Sequence, residues 1–514
     1  MSGRILYIAF VVSLGGFLFG FDAGIISGVM SFAGPQFDLN DMQSGWVVSS
    51  PSFAAMISML ISGRLSDVIG RKKILLVVAL LYAVSAAFSA YATSYEMLYI
   101  ARMVGGVAFG AALVLAPTYI AEISSSENRG KLVSLQQLNI VLGFFAAFLS
   151  NYFFNKFYNG GYTSLTEENV WRWMLGVEFF PAILYFILLF FVPKSPRWLF
   201  TKNLKQEAKE ILEKIYGAGI AKKEIQNIEE QAAANNDKSE VSLKSLLMPS
   251  LRFILFIGLV IGVLQQITGI NAIYFYATSI FKQTGIGNDA SFSSGVLLSS
   301  ITVIFTLVAI FTIDRMGRRP LLLIGVSGVA ISLLVCALGF YNATYEIKSS
   351  EVDSIVLNDI SVEDLAFALD KKYDSDLDFK NDMKDNLGTQ LYAKNEGSIL
   401  EAATTINSTL VLVGIMAFIA CFAFSLGPVM WVLLSELYPI KYRGAAIGVI
   451  GFVNSFTSWI VQQVFPWELS NLGNALSFLI FGLIALVGFF ILLKILPETK
   501  GKSLEELEAE LVKS

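Results

Sequence analysis

Long apolar runs alternate with short polar connections along nearly the whole chain. Twelve runs can be drawn, at 5–30, 46–68, 74–92, 97–121, 132–154, 171–193, 250–282, 291–313, 319–341, 408–437, 444–467 and 474–496. A helix of about 20 apolar residues crosses the hydrocarbon of a bilayer, and tilted helices use more. The pattern therefore predicts an all-α membrane protein with twelve transmembrane helices. Two stretches break it. Residues 198–245 are charged and amphipathic, as in L-K-Q-E-A-K-E-I-L-E-K-I from Leu204, and predict helices lying outside the membrane. Residues 341–400 hold thirteen acidic residues, from Glu346 to Glu396, against six lysines. Their weak alternation fits a small ordered cap or a disordered segment equally well.

Connecting charges orient the bundle. Arg64, Arg71, Lys72 and Lys73 follow run 2, and Arg197, Lys202, Lys205 and Lys209 follow run 6. Arg315, Arg318 and Arg319 follow run 8, and Lys441 and Arg443 follow run 10. The opposite connections are poor in Lys and Arg, so the positive-inside rule puts both termini in the cytoplasm. The N-terminal M-S-G-R leads straight into a run longer than a signal-peptide core, and is read as a retained span.

Composition narrows the chemistry. Hydrophobic residues make up 55% of the 514, which fits a multi-pass membrane protein, and a net charge of −4 gives no case for nucleic acid. Histidine is absent, so a His-based metal site is excluded and proton chemistry falls to carboxylates. The two cysteines lie in apolar runs and indicate no disulfide framework. No nucleophile–base pair, metal cluster or nucleotide-binding P-loop is recognisable. The expectation is a non-enzyme, without cofactor, driven by a gradient.

The first run carries the strongest internal signal. Gly16, Gly20, Gly24 and Gly28 recur every fourth residue and form a smooth stripe where another helix can approach closely. Asp22 lies about 200° round the helix from Gly20 and from Gly24. A mid-membrane carboxylate costs about 2.5–3.5 kcal/mol on insertion scales, so Asp22 should face a partner or a wet cavity.

The chain also repeats. Glu122 and Arg129-Gly130 after run 4 are echoed by Glu436 and Arg443-Gly444 after run 10, both reading E-x6-R-G. G-R-L-S-D-V-I-G-R-K-K at Gly63 is echoed by D-R-M-G-R-R at Asp314, and P-K-S-P-R-W at Pro193 by P-E-T-K-G at Pro497. The expected organisation is two pseudo-symmetric six-helix halves, 1–197 and 246–497. A cytoplasmic helical linker (198–245) joins them, an outer insert (341–400) interrupts the second, and a cytoplasmic tail (498–514) follows. Parallel repeats of this kind bind their substrate between the halves near mid-depth.

These motifs, with A-R-M-V-G-G at Ala101, A-E-I-x5-R-G-K at Ala121 and Q-Q-x-x-G-I-N at Gln265, resemble the sugar porter branch of the major facilitator superfamily. The resemblance covers nearly all of the chain outside the insert. It implies a monosaccharide transporter (hexose, pentose or inositol) in the cell membrane, in contact with the lipid bilayer and working as a monomer by alternating access. Sugar–proton symport is the leading reading. A passive facilitator and a non-transporting receptor are the alternatives, though a receptor needs a signalling appendage and little chain follows Pro497.

A neutral, hydroxyl-rich ligand calls for uncharged groups that both donate and accept, which amides supply. Gln137, Gln265, Gln266, Asn271 and Asn454 fit this need, and the matching positions contact sugar in the family. The plainer reading of each is an interhelical hydrogen bond. On a straight helix Gln265, Gln266 and Asn271 would point about 0°, 100° and 240° apart, and a break at Gly269 would let them converge. Thr302 stands where many relatives have Asn, Phe144 where xylose–proton symporters have Gln, and Leu426 and Ser455 where some have Trp. Trp431 keeps its Trp. Phe275 and Tyr276 fit an outer aromatic gate or ordinary packing.

Proton-coupled members resemble this chain in having Asp on helix 1, paired with Arg on helix 4. The resemblance thus implies that Asp22 carries the proton, Arg102 governs its release and Glu178 modulates it, against the alternative of a static ion pair. It also implies that Asp67, Arg71, Glu122, Arg129, Asp314, Arg318, Glu436 and Arg443 close the inner gate in the outward-open state through ion pairs across the halves.

Overall fold

The computed structural model describes residues 3–124, 129–161, 164–217, 219, 221–222, 224–226, 243–350, 352, 360–438 and 440–500. Among the described residues, twelve helices are long and apolar enough to cross a membrane. In chain order, spans 1 to 6 are Gly3–Gln36, Asp41–Ile69, Arg71–Ala90, Tyr95–Ile123, Lys131–Asn159 and Val170–Phe190. Spans 7 to 12 are Leu251–Phe275, Asn288–Ile313, Arg318–Tyr341, Ser408–Leu437, Tyr442–Asn471 and Gly473–Ile495. Several extend past the apolar runs, because a helix ladder continues where polar residues meet head groups and water.

Among the described residues, three spans interrupt their own ladder. Span 6 breaks between Gly176 and Phe179, at Glu178. Span 7 stops at Ile267, restarts at Ile270 after Gly269 takes a left-handed conformation (φ 85°), and is followed by a short helix, Ala277–Lys282. Only glycine holds that backbone without strain. The expected break at Gly269 is therefore present. Span 10 breaks at Ser425, which no motif had suggested.

The chain divides into two compact units. The first holds residues 1–22, 50–144 and 175–248, and the second holds 23–49, 145–174 and 249–514. In the first unit, buried side chains of spans 1, 3, 4 and 6 form one core, with Val12, Tyr82, Leu115, Tyr119 and Tyr185 among its members. Span 5 meets span 1 along the predicted glycine stripe. A Cβ on Gly16 would press on Gln136 and Ile140 at 3.1 Å, and one on Gly20 would collide with the Ile140 carbonyl oxygen. Gly143 on span 5 is equally tight against the Phe17 carbonyl. The linker helix Lys205–Tyr216 turns Ala208, Leu212 and Ile215 inward, as its amphipathic pattern predicts, and Arg4 donates to the Lys214 carbonyl at 2.5 Å. Residues 227–242 of the linker and 501–514 of the tail lie outside the described residues.

In the second unit the insert is ordered over its described residues. Strands Thr344–Tyr345 and Thr404–Thr405 pair antiparallel at its base, and helices Asp376–Leu387 and Thr389–Ala403 pack above them. Tyr345, Leu365, Phe379, Met383, Tyr392 and Leu400 are among the side chains of its separate hydrophobic core. Its order comes from contacts between distant residues, which is why local alternation is weak.

Overpacking a tight interface costs about 1–3 kcal/mol. Gly20→Leu should exceed the upper end, since backbone rather than a side chain stands in the way. The expected result is a thermal unfolding midpoint lowered by at least several degrees in detergent, with Gly63→Leu, at an open position, as the control that shifts little.

Candidate functional site

The break in span 7 builds a cluster of amides in the second unit. Gln265 ends the first segment of the span and is buried. Its Nε2 donates to the Leu426 carbonyl at 3.0 Å, just after the break in span 10. Its Oε1 accepts from Asn454 Nδ2 at 2.8 Å and from Gln266 Nε2 at 3.3 Å. Gln266 also donates to Asn454 Oδ1 at 3.2 Å, and its own Oε1 accepts from Asn271 Nδ2 at 2.9 Å. Asn271 donates in addition to Ser458 at 2.6 Å, and Gln462 donates to the same hydroxyl at 2.7 Å.

The four amides of spans 7 and 11 are therefore one network. Gln265 and Asn454 form its buried back, while Gln266 and Asn271 are half-buried and form its front. Asn271 Oδ1 accepts from no described residue. Ser458 and Gln462 are members of this network that motif reading missed. Asn454, Ser458 and Gln462 recur every fourth residue on span 11, a polar stripe that could have revealed them. Gln137, in the first unit, is half-buried and has no hydrogen-bond partner among the described residues.

The other expected contacts differ among themselves. Thr302 is buried, donating to the Leu298 carbonyl at 3.0 Å and sharing a 2.5 Å hydrogen bond with Tyr274. Phe275 and Tyr276 are both buried; the Tyr276 hydroxyl donates to the Gln462 carbonyl at 3.0 Å and its ring lies 5.4 Å from that of Phe465. Trp431 is 44% exposed, so of these side chains it has the most free surface.

The charged site lies in the first unit. Arg102 Nη1 sits 3.2 Å from Asp22 Oδ1, and both side chains are almost fully buried. The Gly stripe faces span 5 and Asp22 faces span 4, as the helical geometry predicts. Glu178, also buried, stands at the break in span 6 within electrostatic reach of both partners. Tyr82, near these carboxylates, donates its hydroxyl to the Gly15 carbonyl at 3.1 Å.

At the ends of the spans nearest the termini, each half carries a charge cluster of the same design. Arg71 Nη2 contacts Asp67 at 2.6 Å and Glu122 at 3.0 Å, and Ser195 donates to Glu122. Arg318 Nη2 contacts Glu436 at 2.7 Å, and Thr499 donates to Glu436 at 2.6 Å. Arg71, Arg318 and Arg443 each also donate to the carbonyl five residues before them, in Ser66, Ile313 and Tyr438. These pairs run within a half rather than across halves. The side chains of Arg129 and Asp314 lie outside the described residues. Lys194, in place of the usual acid, pairs with Glu207 of the linker helix at 2.8 Å.

On the insert side, span 1 reaches span 7 within the second unit. Ser27 Oγ accepts from the Thr278 backbone N–H at 2.9 Å, at the start of the short helix Ala277–Lys282. Tyr276 provides no side-chain cap there, so Ser27 supplies it from 251 residues away.

The sequence matches the family described as "Sugar (and other) transporter" over residues 8–357 and 389–511. It is 33% identical to the arabinose-proton symporter of Bacillus subtilis (strain 168) over 513 residues, covering 99% of this chain and 96% of that one. It is 32% identical to the glucose transporter GlcP of Staphylococcus epidermidis, covering 98% of this chain and 97% of that one. The inward-open structure of the xylose transporter XylE from E. coli superposes with a TM-score of 0.75 at 28% identity, covering 99% of this chain and 100% of that one.

Removing one partner of a buried ion pair costs about 3–5 kcal/mol, because a charge is left unpaired. Arg102→Met alone should therefore be strongly destabilised. Adding Asp22→Asn should recover most of the loss, giving a favourable coupling of at least 2 kcal/mol by that arithmetic. Thermal or denaturant unfolding of both single variants and the double variant in detergent measures it.

Proposed function

The chain belongs to the sugar transporter family, and from that premise we propose that it carries a monosaccharide across a cell membrane by alternating access, in symport with a proton. The observation that carries the sugar reading is the amide network at the break in span 7. Its four side chains are uncharged amides, each able both to donate and to accept, and the two front members are half-exposed. Such a set matches a neutral polyol and would be poorly suited to a charged or apolar ligand. Relatives named for arabinose and glucose support a monosaccharide, and the XylE likeness adds xylose.

Within the network, Gln266 and Asn271 meet the sugar. Gln265 and Asn454 position them, Gln265 being held by the Leu426 carbonyl beside the break in span 10. Ser458 takes part as a hydroxyl. Trp431 offers a ring face, and Gln137 adds an amide from the first half. Thr302, committed to Tyr274, shapes the wall, and Phe275 and Tyr276 belong to the closing elements on the insert side.

Coupling rests on Asp22 and Arg102. As a carboxylate, Asp22 holds the guanidinium; a proton on Asp22 removes that charge and frees Arg102 to move. Glu178, within reach of both, sets the local field. The proton is the coupling ion, and no further cofactor is required. The charge clusters near the termini hold each half together there, and the eight residues named from the resemblance re-pair across the halves in the outward-open state. The positive-inside bias of the basic connections supports a cytoplasmic side for those ends and for both termini, and the working unit is a monomer.

Uptake of radiolabelled glucose, xylose and arabinose into proteoliposomes, with and without an inward proton gradient, tests the reading. Gradient-driven accumulation should be lost in Asp22→Asn while sugar exchange remains. Equilibration indifferent to the gradient in both proteins would make this a facilitator and Asp22 a structural partner of Arg102. Gln266→Ala should weaken sugar binding about tenfold or more, because a buried network then loses a bonded member.

A further inference from the structure

The insert has no part in the chemistry above, yet its second helix lies against the turn that ends the outer half of span 7. Gln283, directly after Ala277–Lys282, donates to Glu396 of the insert at 3.0 Å. Ser408, where the insert rejoins span 10, donates to the Thr284 carbonyl at 2.8 Å. Gly285 and Gly287 turn the chain with φ of 69° and 78°. Both lie too close to the insert for a side chain: a Cβ would meet Thr404 at 2.8 Å from Gly285, and the Glu401 carboxylate from Gly287. From the insert's side, Gly397 is equally tight against Asn288.

The same turn is gripped by the first half of the chain. Asp289, in the first turn of span 8, accepts from Asn155 of span 5 at 2.7 Å and from Asn159 at 2.5 Å. The insert adds a direct tie of its own, since Lys394 lies 3.7 Å from Glu167 in the connection between spans 5 and 6. At its other end the insert is fixed to span 12. Asp376 accepts from the Asn474 backbone N–H at 3.0 Å and from its side-chain amide at 2.9 Å. The nearly buried Lys380 completes this anchor at 3.3 Å from Asp376.

We propose that the insert is a strap that holds the outer half of span 7 in its closed position, with Glu396 as its anchor on the span and Lys394 as its tie to the first half. It rests on the alternating-access reading above. Opening on this side separates span 1 from span 7 at Ser27 and Thr278. The strap opposes that opening in two ways. Glu396 keeps the end of the half-helix from swinging independently, and the Lys394–Glu167 pair must part when the halves do. An exposed ion pair contributes little, whereas a hydrogen bond to a charged group that is partly buried contributes more. Glu396 therefore carries most of the effect.

The test uses the full chain, spin-labelled in pairs across the insert-side ends of spans 1 and 7, with distances recorded by pulsed electron paramagnetic resonance without sugar. Glu396→Ala should raise the outward-open to outward-closed ratio about tenfold, and Lys394→Glu about fivefold or less. Glu167→Lys combined with Lys394→Glu should restore the wild-type distribution, which a merely misfolded insert would not do. Unchanged distances in both single variants, or failure of the charge swap to restore them, would overturn the strap. Because distances are read without transport, failure of the sugar–proton reading would show separately, as absent uptake with the distance changes intact.

Discussion

A backbone N–H or C=O left unpaired in hydrocarbon costs several kcal/mol, so a spanning helix can break its ladder only where other groups take up the loose ends. Among the described residues three spans break, and each break lies at or beside a group that serves the proposed mechanism. Glu178 stands at the break in span 6. The break in span 7 separates Gln265 and Gln266 from Asn271. The break in span 10 lies directly before Leu426, whose carbonyl accepts from Gln265 at 3.0 Å. The last two thus meet: the first residue after the break in span 10 holds the amide near the broken end of span 7. A straight span 7 would scatter its amides around the helix.

The terminal-side clusters show how a repeated sequence makes a repeated structure. In the first half Gly70 takes φ 104°, Arg71 turns back to the Ser66 carbonyl, and Glu122 receives both Arg71 and Ser195. In the second half Gly317 takes φ 94°, Arg318 turns back to Ile313, and Glu436 receives both Arg318 and Thr499. The correspondence of Ser195 in P-K-S-P with Thr499 in P-E-T-K explains why these motifs occupy equivalent positions. Each supplies a hydroxyl to the carboxylate at the end of the fourth span of its half. The second half goes further: Glu498 accepts from the backbone N–H groups of Arg318 and Arg319 and so caps span 9. The first half has Lys194 at the matching position, and its charge turns to the linker helix instead.

Spans, glycine stripe and the need of Asp22 for a partner were readable from local period and from the cost of a lone charge in lipid; Arg102 as that partner came from the family resemblance, and the break at Gly269 from the need to bring the amides together. The break at Ser425 was not readable, although Gly427 and Pro428 follow it, since both residues are tolerated in unbroken membrane helices. Ser458 and Gln462 were overlooked because single polar residues in a span are ordinary, and only their spacing from Asn454 marks them. The order of the insert was beyond local reading altogether. It depends on meetings such as Asp376 with Asn474 and Gly397 with Asn288, which no window of sequence contains.

In the proposed symport, the buried ion pair sets how tightly two fluxes can be joined. Parting Asp22⁻ from Arg102⁺ in the membrane interior leaves two unpaired charges, at a cost of about 3–5 kcal/mol. At about 1.4 kcal/mol per factor of ten, that suppresses movement of the unprotonated carrier by two to three and a half orders of magnitude. A proton on Asp22 removes most of that cost at once, because the neutral acid has little to lose when Arg102 leaves. An amide in place of the acid would remove the barrier permanently, and with it any requirement for the proton. A carboxylate that is nearly fully buried, bonded to one guanidinium and flanked by a second acid, is thus suited to a conditional barrier. The amide network works in the opposite sense. Its members already bond one another, so the empty site is not penalised, and sugar changes the balance only through contacts better formed in the closed arrangement. Under the proposed mechanism, coupling requires both conditions: the charge cancelled at Asp22, and the network completed by a ligand.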